Sequence, residues 1–450
     1  MKFVGAGAAI APLAALHSRA AYASPSFGPG FGPLEPMLPL NSSELIFNGV
    51  GAPDLRGIPL LALPKNFRYW AVSWTGQTMS DGTLVPGDHD GMAAFRGPNG
   101  GTILVRNHEL SNRETKYGNV AGVSVDASLK YDEYANGGTT TLLFDNAAKL
   151  QRDFASLGGT NNNCAGGLTP WRTWLTCEES TSLVTENAYT RRHGYVFEVP
   201  ADATEAVKAE PLVAMGRFNH EATANDPNTG YVYQTEDRGD SLFYRFLPKT
   251  PGVLRNGGTL QALKLVDYPQ VATAKGFQEF KNRPLAVSWV TIDEPDPIGN
   301  EYAESTRGQG FAKGAAQFSR GEGAWYGNGL VYFVSTNGGN LGAGQVWAYN
   351  PAAETVTLVI ESEDRTVLDA PDNITIGPDG RIYLFEDGSG GDNIVGVNQD
   401  GEMFLAAKNI ANSSEFCGGC FSHNGKYMFV NMQSPGLTLV IEGPWRKGQR

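Results

Sequence analysis

The sequence predicts an all-β fold, a six-bladed β-propeller with one inserted helical or loop segment. A strand ending on a polar, mostly acidic signature occurs six times: TILVRNHE (102–109), TWLTCEE (173–179), YVYQTEDR (231–238), LVYFVSTN (330–337), RIYLFEDG (381–388) and YMFVNMQS (427–434). Each follows a turn sequence, GPNGG, TPW, DPNTG, YGNG, GPDG or HNGK. Ahead of each turn stands a second marker, Asp90, Cys164, Glu221, Glu322, Asp372 or Cys417. The spacing is 14 residues from Cys164 to Glu178, 15 from Glu221 to Glu236, and 14 for Glu322–Thr336, Asp372–Glu386 and Cys417–Asn431. Asp90 to Asn107 is looser, at 17. A motif recurring with variable insertions marks a radially repeated fold.

In chain order, residues 1–23 read as an export signal. Lys2 supplies a positive start, residues 3–16 are small and apolar, and Ala21-Tyr22-Ala23 is an A-x-A cleavage site. That apolar run is too short to span a membrane, and no other segment approaches the length needed. Residues 1–23 hold no twin-arginine pair, and a start site placed too far downstream would hide one. Residues 24–44, rich in Gly and Pro, read as a flexible arm. Residues 45–450 read as one propeller domain, with FRYWAVSW (67–74) completing the last blade and LTLVIEG (437–443) as its third strand.

The six strands start 71, 58, 99, 51 and 46 residues apart. A four-stranded blade takes about 40–50 residues, so the longer intervals carry insertions. The longest gap, 239–320, holds the outer strand TLQALKLVDY (259–268), and the polar stretch 302–323 reads as a helix or lid reaching the site. Radial blades line a central channel with their innermost strands. The markers are therefore expected at its mouth and the strand-borne residues on its wall.

Composition agrees with a turn-rich β chain: 56 Gly and 26 Pro in 450 residues, with 10% aromatics to fill the space between sheets. A net charge of −12 argues against a nucleic-acid partner. It suits solubility, or acids neutralised by bound cations.

The two rings contain eleven acids: Asp90, Glu109, Glu178, Glu179, Glu221, Glu236, Asp237, Glu322, Asp372, Glu386 and Asp387. Strand alternation forbids adjacent pairs from both facing the channel. Two carboxylates ~5–6 Å apart repel by roughly 3 kcal/mol at an effective dielectric of about 20. Either several are protonated or cations hold them together. Carboxylates suit calcium, and a thiolate among them recruits a softer metal such as iron. An acid at a strand end more often caps a turn or pairs with Arg; repetition at equivalent positions singles out Glu178, Glu236, Glu322 and Glu386.

Cys164 stands where Glu221 and Glu322 stand in their own repeats, which favours a ligand role. Disulfides Cys417–Cys420 and Cys164–Cys177 remain open in an exported protein, and Cys417 and Cys420 read as structural. His108 and His220, each in an N-H-E triplet, do not match the HExxH zinc spacing and read as orienting groups. Arg320 is the cation best placed to enter the channel, for a bidentate phosphate contact or a salt bridge to a neighbouring acid. No GxSxG elbow, P-loop or Rossmann fingerprint occurs in a suitable context.

HDGMAAF (89–95), RNHE (106–109), NCAGGLTPWRTWLTCEE (163–179), RFNHEA (217–222), YQTEDR (233–238), SRGEGAWY (319–326) and FEDG (385–388) resemble the PhoX-type alkaline phosphatases. The likeness runs from about residue 45 to the C-terminus. It implies a six-bladed propeller holding Fe3+ and Ca2+ in its channel. It also implies hydrolysis of small-molecule phosphomonoesters in the periplasm or outside the cell, with a leader similar to the tail of a twin-arginine signal. Carried over by motif, Cys164 is an iron ligand, and Glu178, Glu179, Glu322 and Glu221 or Glu236 are metal ligands, joined by Glu109 and Asp387. Arg320 binds the phosphate, and Arg320 and Glu322 are the catalytic pair. The chain is shorter than full-length phosphatases of this type, which implies shorter insertions. A monomer without nucleic-acid partner is expected. Two alternatives are a calcium-dependent lactonase-like hydrolase, which needs one cation and no thiolate, and a non-catalytic binding propeller stiffened by calcium.

Overall fold

The computed structural model describes residues 30–48, 52–112, 122–184, 186–398 and 400–446. The export signal read over 1–23 lies outside the described residues. Their regular secondary structure is mostly antiparallel strand. The single α-helix among them, Thr306–Ala312, starts at Ser305, whose side chain accepts a hydrogen bond from the Gly308 N–H.

The strands form five hydrogen-bonded sheets in a propeller-like array. One sheet runs His89–Arg96, Thr102–His108, Gly137–Phe144, Leu150–Thr160, and the next Asn163–Leu168, Thr173–Glu178, Val196–Pro200. The third has nine strands, from His220–Asn225 out to Leu285–Thr291 and back from Thr355–Glu361 to Gly321–Gly327. The fourth runs outward from Pro371–Ile376 and ends on Leu61–Pro64 and Leu34–Met37. The last joins Phe416–Phe421, Tyr427–Met432 and Leu437–Glu442 to Arg68–Trp74, so a strand from the start of the chain closes the sheet at its end, as expected.

Three features differ from the sequence expectation. The sheets number five rather than six, because Leu285–Thr291 pairs with Gly258–Leu265 on one side and, through Leu285–Val356 and Ala286–Thr355, with Thr355–Glu361 on the other. The arm read over 24–44 is structured from residue 30: Leu34–Met37 pairs with Leu61–Pro64, and the Phe31 ring packs on Phe67, Phe404 and Trp445. Third, the strands recognised from sequence are second strands. The innermost are His89–Arg96, Asn163–Leu168, His220–Asn225, Gly321–Gly327, Pro371–Ile376 and Phe416–Phe421, and each carries its marker at its second residue. The markers are thus on the channel strands themselves, where a turn-preceding loop was expected.

Each innermost strand lies against the next, and the last lies against the first. The residues after the markers are Gly91, Ala165, Ala222, Gly323, Asn373 and Gly418, five of them Gly or Ala. A Cβ on Gly91 would sit 2.5 Å from the Ala165 Cα, and one on Gly323 2.7 Å from the Asp372 carbonyl oxygen. Backbone meets backbone here, so the channel is closed beneath the markers. Farther out, apolar cores fill the space between sheets, as where Phe243 stacks on Phe333 at 4.0 Å and Phe67 meets Trp445 at 4.8 Å.

Gly323→Ala is expected to cost about 1–3 kcal/mol by overpacking, read as a lower midpoint in thermal unfolding. Gly239→Ala, where an added Cβ meets nothing within 4 Å, should change the midpoint little. Equal midpoints for the two variants would refute close packing at the channel.

Candidate metal centre

A β-bulge interrupts each innermost strand beside its marker: between His89 and Met92, Asn163 and Gly166, His220 and Thr223, Gly321 and Ala324, Pro371 and Asn373, and Cys417 and Cys420. A bulge re-aims the side chain it carries. Five equivalent backbone bonds then fix a second layer. The N–H groups of Glu109, Glu179, Asp237, Thr336 and Asp387 donate to the carbonyls of Asp88, Asn162, Asn219, Arg320 and Ala370, each two residues before a marker, at 2.9–3.1 Å. Asp88, Asn162, Arg320 and Ala370 hold positive φ, between 42° and 49°, a costly backbone state for residues with a Cβ.

Two tiers result. Asp90, Cys164, Glu221, Glu322 and Cys417 are buried and Asp372 is half-buried; Glu109, Glu179 and Asp237 lie half-buried above them and Asp387 is exposed. One donor atom each from Cys164, Glu179 and Glu221 lie within 4.8 Å of one another, and so do donors from Glu221, Glu322 and Asp372. Glu221 is common to both groups.

The charge cost is large. Burial, then the Glu179 and Asp372 charges, push the Glu221 carboxyl well above its ordinary range. Burial and then Asp372 and Glu221 do the same to Glu322, and burial followed by Asp387 raises Asp372 to about 7. The Cys164 thiol is pushed up by burial and by Glu221. Its Sγ lies 3.3 Å from the His220 carbonyl oxygen. Cys417 makes the equivalent contact, 3.0 Å to the His89 carbonyl oxygen. All four cysteines are free and buried, so neither disulfide left open by the sequence exists here.

Arg320 crosses this anionic mouth. Its Nε and Nη2 donate to the two Asp237 carboxylate oxygens at 2.7 and 2.8 Å, and Nη2 also meets Glu322 at 2.9 Å. The side chain is 43% exposed, and Nη1 has no partner among the described residues. Asp237 and Glu322 thus fix the guanidinium plane while one edge faces solvent.

Several residues singled out in the sequence serve elsewhere. Glu178 accepts from the N–H groups of Asn161, Gly194 and Tyr195 and from His193 Nδ1 at 2.7 Å. Burial opposes the charge on His193, but Glu178 and Asp132 raise it to about 9. Glu236 accepts from Tyr244 at 2.8 Å and from Arg307 of the helix at 3.2 Å. The inserted helix therefore reaches Glu236, and the end of the same stretch carries Arg320 and Glu322 into the channel. Glu386 accepts from the Asp369 N–H and from Asn393. These three end their second strands facing away from the ring, and strand alternation hands the channel to Glu179, Asp237 and Asp387, one residue on. Glu109 accepts from Gln433 at 2.7 Å. His108 bonds Gly87 and Thr140, His220 bonds Gly216, and burial depresses both, His220 to about 3. Burial disfavours the charged form of both rings.

Asp90 and Asp372, marked in the sequence but left out of its ligand set, belong to the inner tier. Glu415 was missed. It stands two residues before Cys417, the offset of Arg320 from Glu322, and burial followed by Asp372 raises its carboxyl.

Fold and site together define a propeller-like protein whose channel mouth is a carboxylate and thiol centre shaped to hold cations. The chain belongs to the PhoX alkaline phosphatase family: the family model described as alkaline phosphatase PhoX matches residues 50–152 and 146–436. It is a phosphatase of that family. Among solved structures it is similar to Pseudomonas fluorescens PhoX in complex with vanadate, a transition state analogue, with a TM-score of 0.65 and 17% identity over 86% of this chain and 96% of that one. Weaker likenesses are a gluconolactonase from Xanthomonas campestris (TM-score 0.44, 10% identity, 93% and 100% covered) and virginiamycin B lyase from Staphylococcus aureus (0.37, 11%, 84% and 99%). No curated protein matches the chain. No helix among the described residues is long and apolar enough to cross a membrane.

A raised carboxyl favours folding when protonated, so Asp372 weakens the metal-free fold as pH rises from about 4 through 7. Chelated protein should melt lower at pH 8 than at pH 5. Asp372→Asn should raise the melting temperature at pH 8 by several degrees and leave it nearly unchanged at pH 4. A wild-type midpoint that does not fall with pH would show that the acids are not in conflict.

Proposed function

We propose that this protein is an exported, monomeric phosphomonoesterase with a mixed iron and calcium centre at the mouth of a six-bladed propeller. The observation that carries the reading is the pair of donor groups sharing Glu221, with Arg320 fixed beside them. The blade count is supported by the closed ring of six innermost strands, each with a bulge at its marker. Export is supported by the residue pattern of 1–23.

The donor set fits cations. Buried carboxylates within 4.8 Å of one another repel by roughly 3 kcal/mol per pair at an effective dielectric of about 20, and a positive ion reverses that sign. Cys164, Glu179 and Glu221 would hold iron, since a thiolate suits a softer ion. Glu221, Glu322 and Asp372, oxygen donors alone, would hold calcium. Glu178 and Glu236 drop out of the ligand set because protein donors already occupy their oxygens. Bound, the ions supply Lewis-acid polarisation of the phosphoryl group and activation of the attacking water.

The chain's own residues do the rest. Arg320 binds the phosphoryl oxygens through its free edge and stabilises the charge that builds on them in the transition state. Asp237 and Glu322 hold the guanidinium in plane, so no reorientation is needed when charge develops. Burial of the inner tier excludes bulk water and strengthens these contacts. No side-chain nucleophile is required, which agrees with the absence of a serine elbow.

Protein purified without chelators should contain iron and calcium and release phosphate from a chromogenic phosphomonoester only with calcium present. Cys164→Ser should lose iron, and Arg320→Ala should keep both metals while kcat/KM falls about 10²–10³-fold. Calcium without iron, together with no phosphate release, would overturn the reading.

A further inference from the structure

A cavity of about 320 Å³ opens beside the centre and is lined by Glu179 of the donor set, Asn162, Asn219, Arg238 and Asn300. Its remaining walls are hydroxyls, amides, the Glu186 carboxylate and one ring, Tyr189, with no aliphatic side chain. The polar groups are oriented. Arg238 Nη2 donates to the Asn219 side-chain oxygen at 2.8 Å, and Asn219 Nδ2 donates to the Glu179 carbonyl at 3.1 Å. Asn300 Nδ2 donates to the Thr181 carbonyl, and Glu186 accepts from the Leu183 N–H. Arg238 is exposed, and its side-chain partner among the described residues is a neutral amide; no carboxylate pairs with it there. The cavity adjoins the proposed phosphate position, because the Arg320 N–H donates to the Arg238 carbonyl at 2.8 Å while its guanidinium grips Asp237.

We propose that this cavity receives the alcohol part of the ester and selects a short hydroxy acid, whose carboxylate pairs with Arg238 and whose hydroxyls bond the surrounding amides. This rests on the phosphatase reading and names its substrate class. An aryl leaving group finds no apolar wall here, and a leaving group without an anion leaves the guanidinium unused. Arg238 is then a specificity-determining residue, apart from the chemical step.

The test compares 3-phosphoglycerate, glycerol 3-phosphate and phenyl phosphate on wild-type, Arg238→Gln and Arg238→Lys enzyme with both cations supplied. A charge-assisted hydrogen bond of about 1.5–3 kcal/mol corresponds to about 10–100-fold. Arg238→Gln should lower kcat/KM for 3-phosphoglycerate by that factor, mainly through KM, and leave phenyl phosphate within about twofold; Arg238→Lys should recover part of the loss. Glycerate binding, followed by ligand-observed NMR, should be present in wild type and absent in Arg238→Gln. Equal effects on all three esters, or glycerate binding that survives Arg238→Gln, would overturn the proposal while phosphate release upholds the phosphatase reading. No hydrolysis of any ester, with glycerate binding still dependent on Arg238, would sink the phosphatase reading and keep the hydroxy-acid site.

Discussion

Mutual repulsion among the channel acids is the constraint to which the rest of the molecule answers. Left to themselves, the carboxylates of Glu221, Glu322 and Asp372 would separate or stay protonated. The fold denies them distance by locking the backbone that carries them. Asn107 donates to the Cys164 carbonyl at 3.0 Å, Thr235 to the Glu322 carbonyl at 2.5 Å, and Asn431 to the Asp90 carbonyl at 2.5 Å. In each case a second strand grips the marker of the neighbouring unit. The Gly418 N–H bonds the Asn373 side chain in the same sense. Gly91 and Gly323 let these strands approach until main chain touches main chain. The same closeness that makes the acids costly makes them ready for a cation, which is electrostatic preorganisation achieved through backbone packing.

A second set of acids supports this arrangement without taking part in it. Glu178, Glu236 and Glu386 sit one residue before the outer tier and accept backbone or side-chain donors from flanking loops, a neighbouring strand and the helix. Glu178 is the most heavily engaged, with His193 and three backbone N–H groups converging on it. Breaking a buried pair of this kind typically costs about 3–5 kcal/mol. These residues hold the strand ends from which Glu179, Asp237 and Asp387 project.

Much of this was legible in the sequence because the repeat is written in residue chemistry. The markers Cys164, Glu221 and Glu322 emerge from spacing alone, and Arg320 from its place beside one of them. What spacing could not supply was phase. A strand end with two adjacent acids, as in Glu178-Glu179, Glu236-Asp237 and Glu386-Asp387, has one facing the channel and one facing away, and only the bulge and register decide which. Spacing also placed Asn107, Thr336 and Asn431 in one class with Glu178, although the residues paired at that level are His108, Ser335 and Met432. Asn107 and Asn431 proved to be the locks between units. Sheet number was illegible for a different reason: the two-residue pairing of Leu285 and Ala286 with Thr355 and Val356 depends on where an insertion happens to lie.

A ring of equivalent positions has no inherent direction, and this chain acquires one by substitution at a single offset. Two residues before the markers stand Asp88, Asn162, Asn219, Arg320, Ala370 and Glu415. Only one is cationic, and it falls beside Glu322, a member of the all-carboxylate donor group. Cys164 marks the other flank of the shared Glu221, so the softer ligand and the arginine lie on opposite sides of it. Asn162 and Asn219 border the polar cavity on the Cys164 side, where Glu179 also lines it. Arg320 therefore has the polar cavity, with its amides and the acids Glu179 and Glu186, on one flank and Asp372 on the other. Acids stand on both flanks, so the asymmetry of the mouth lies in Arg320 and in the amides rather than in the carboxylates. The asymmetry of the mouth follows from which residue occupies one offset in six copies of the same strand.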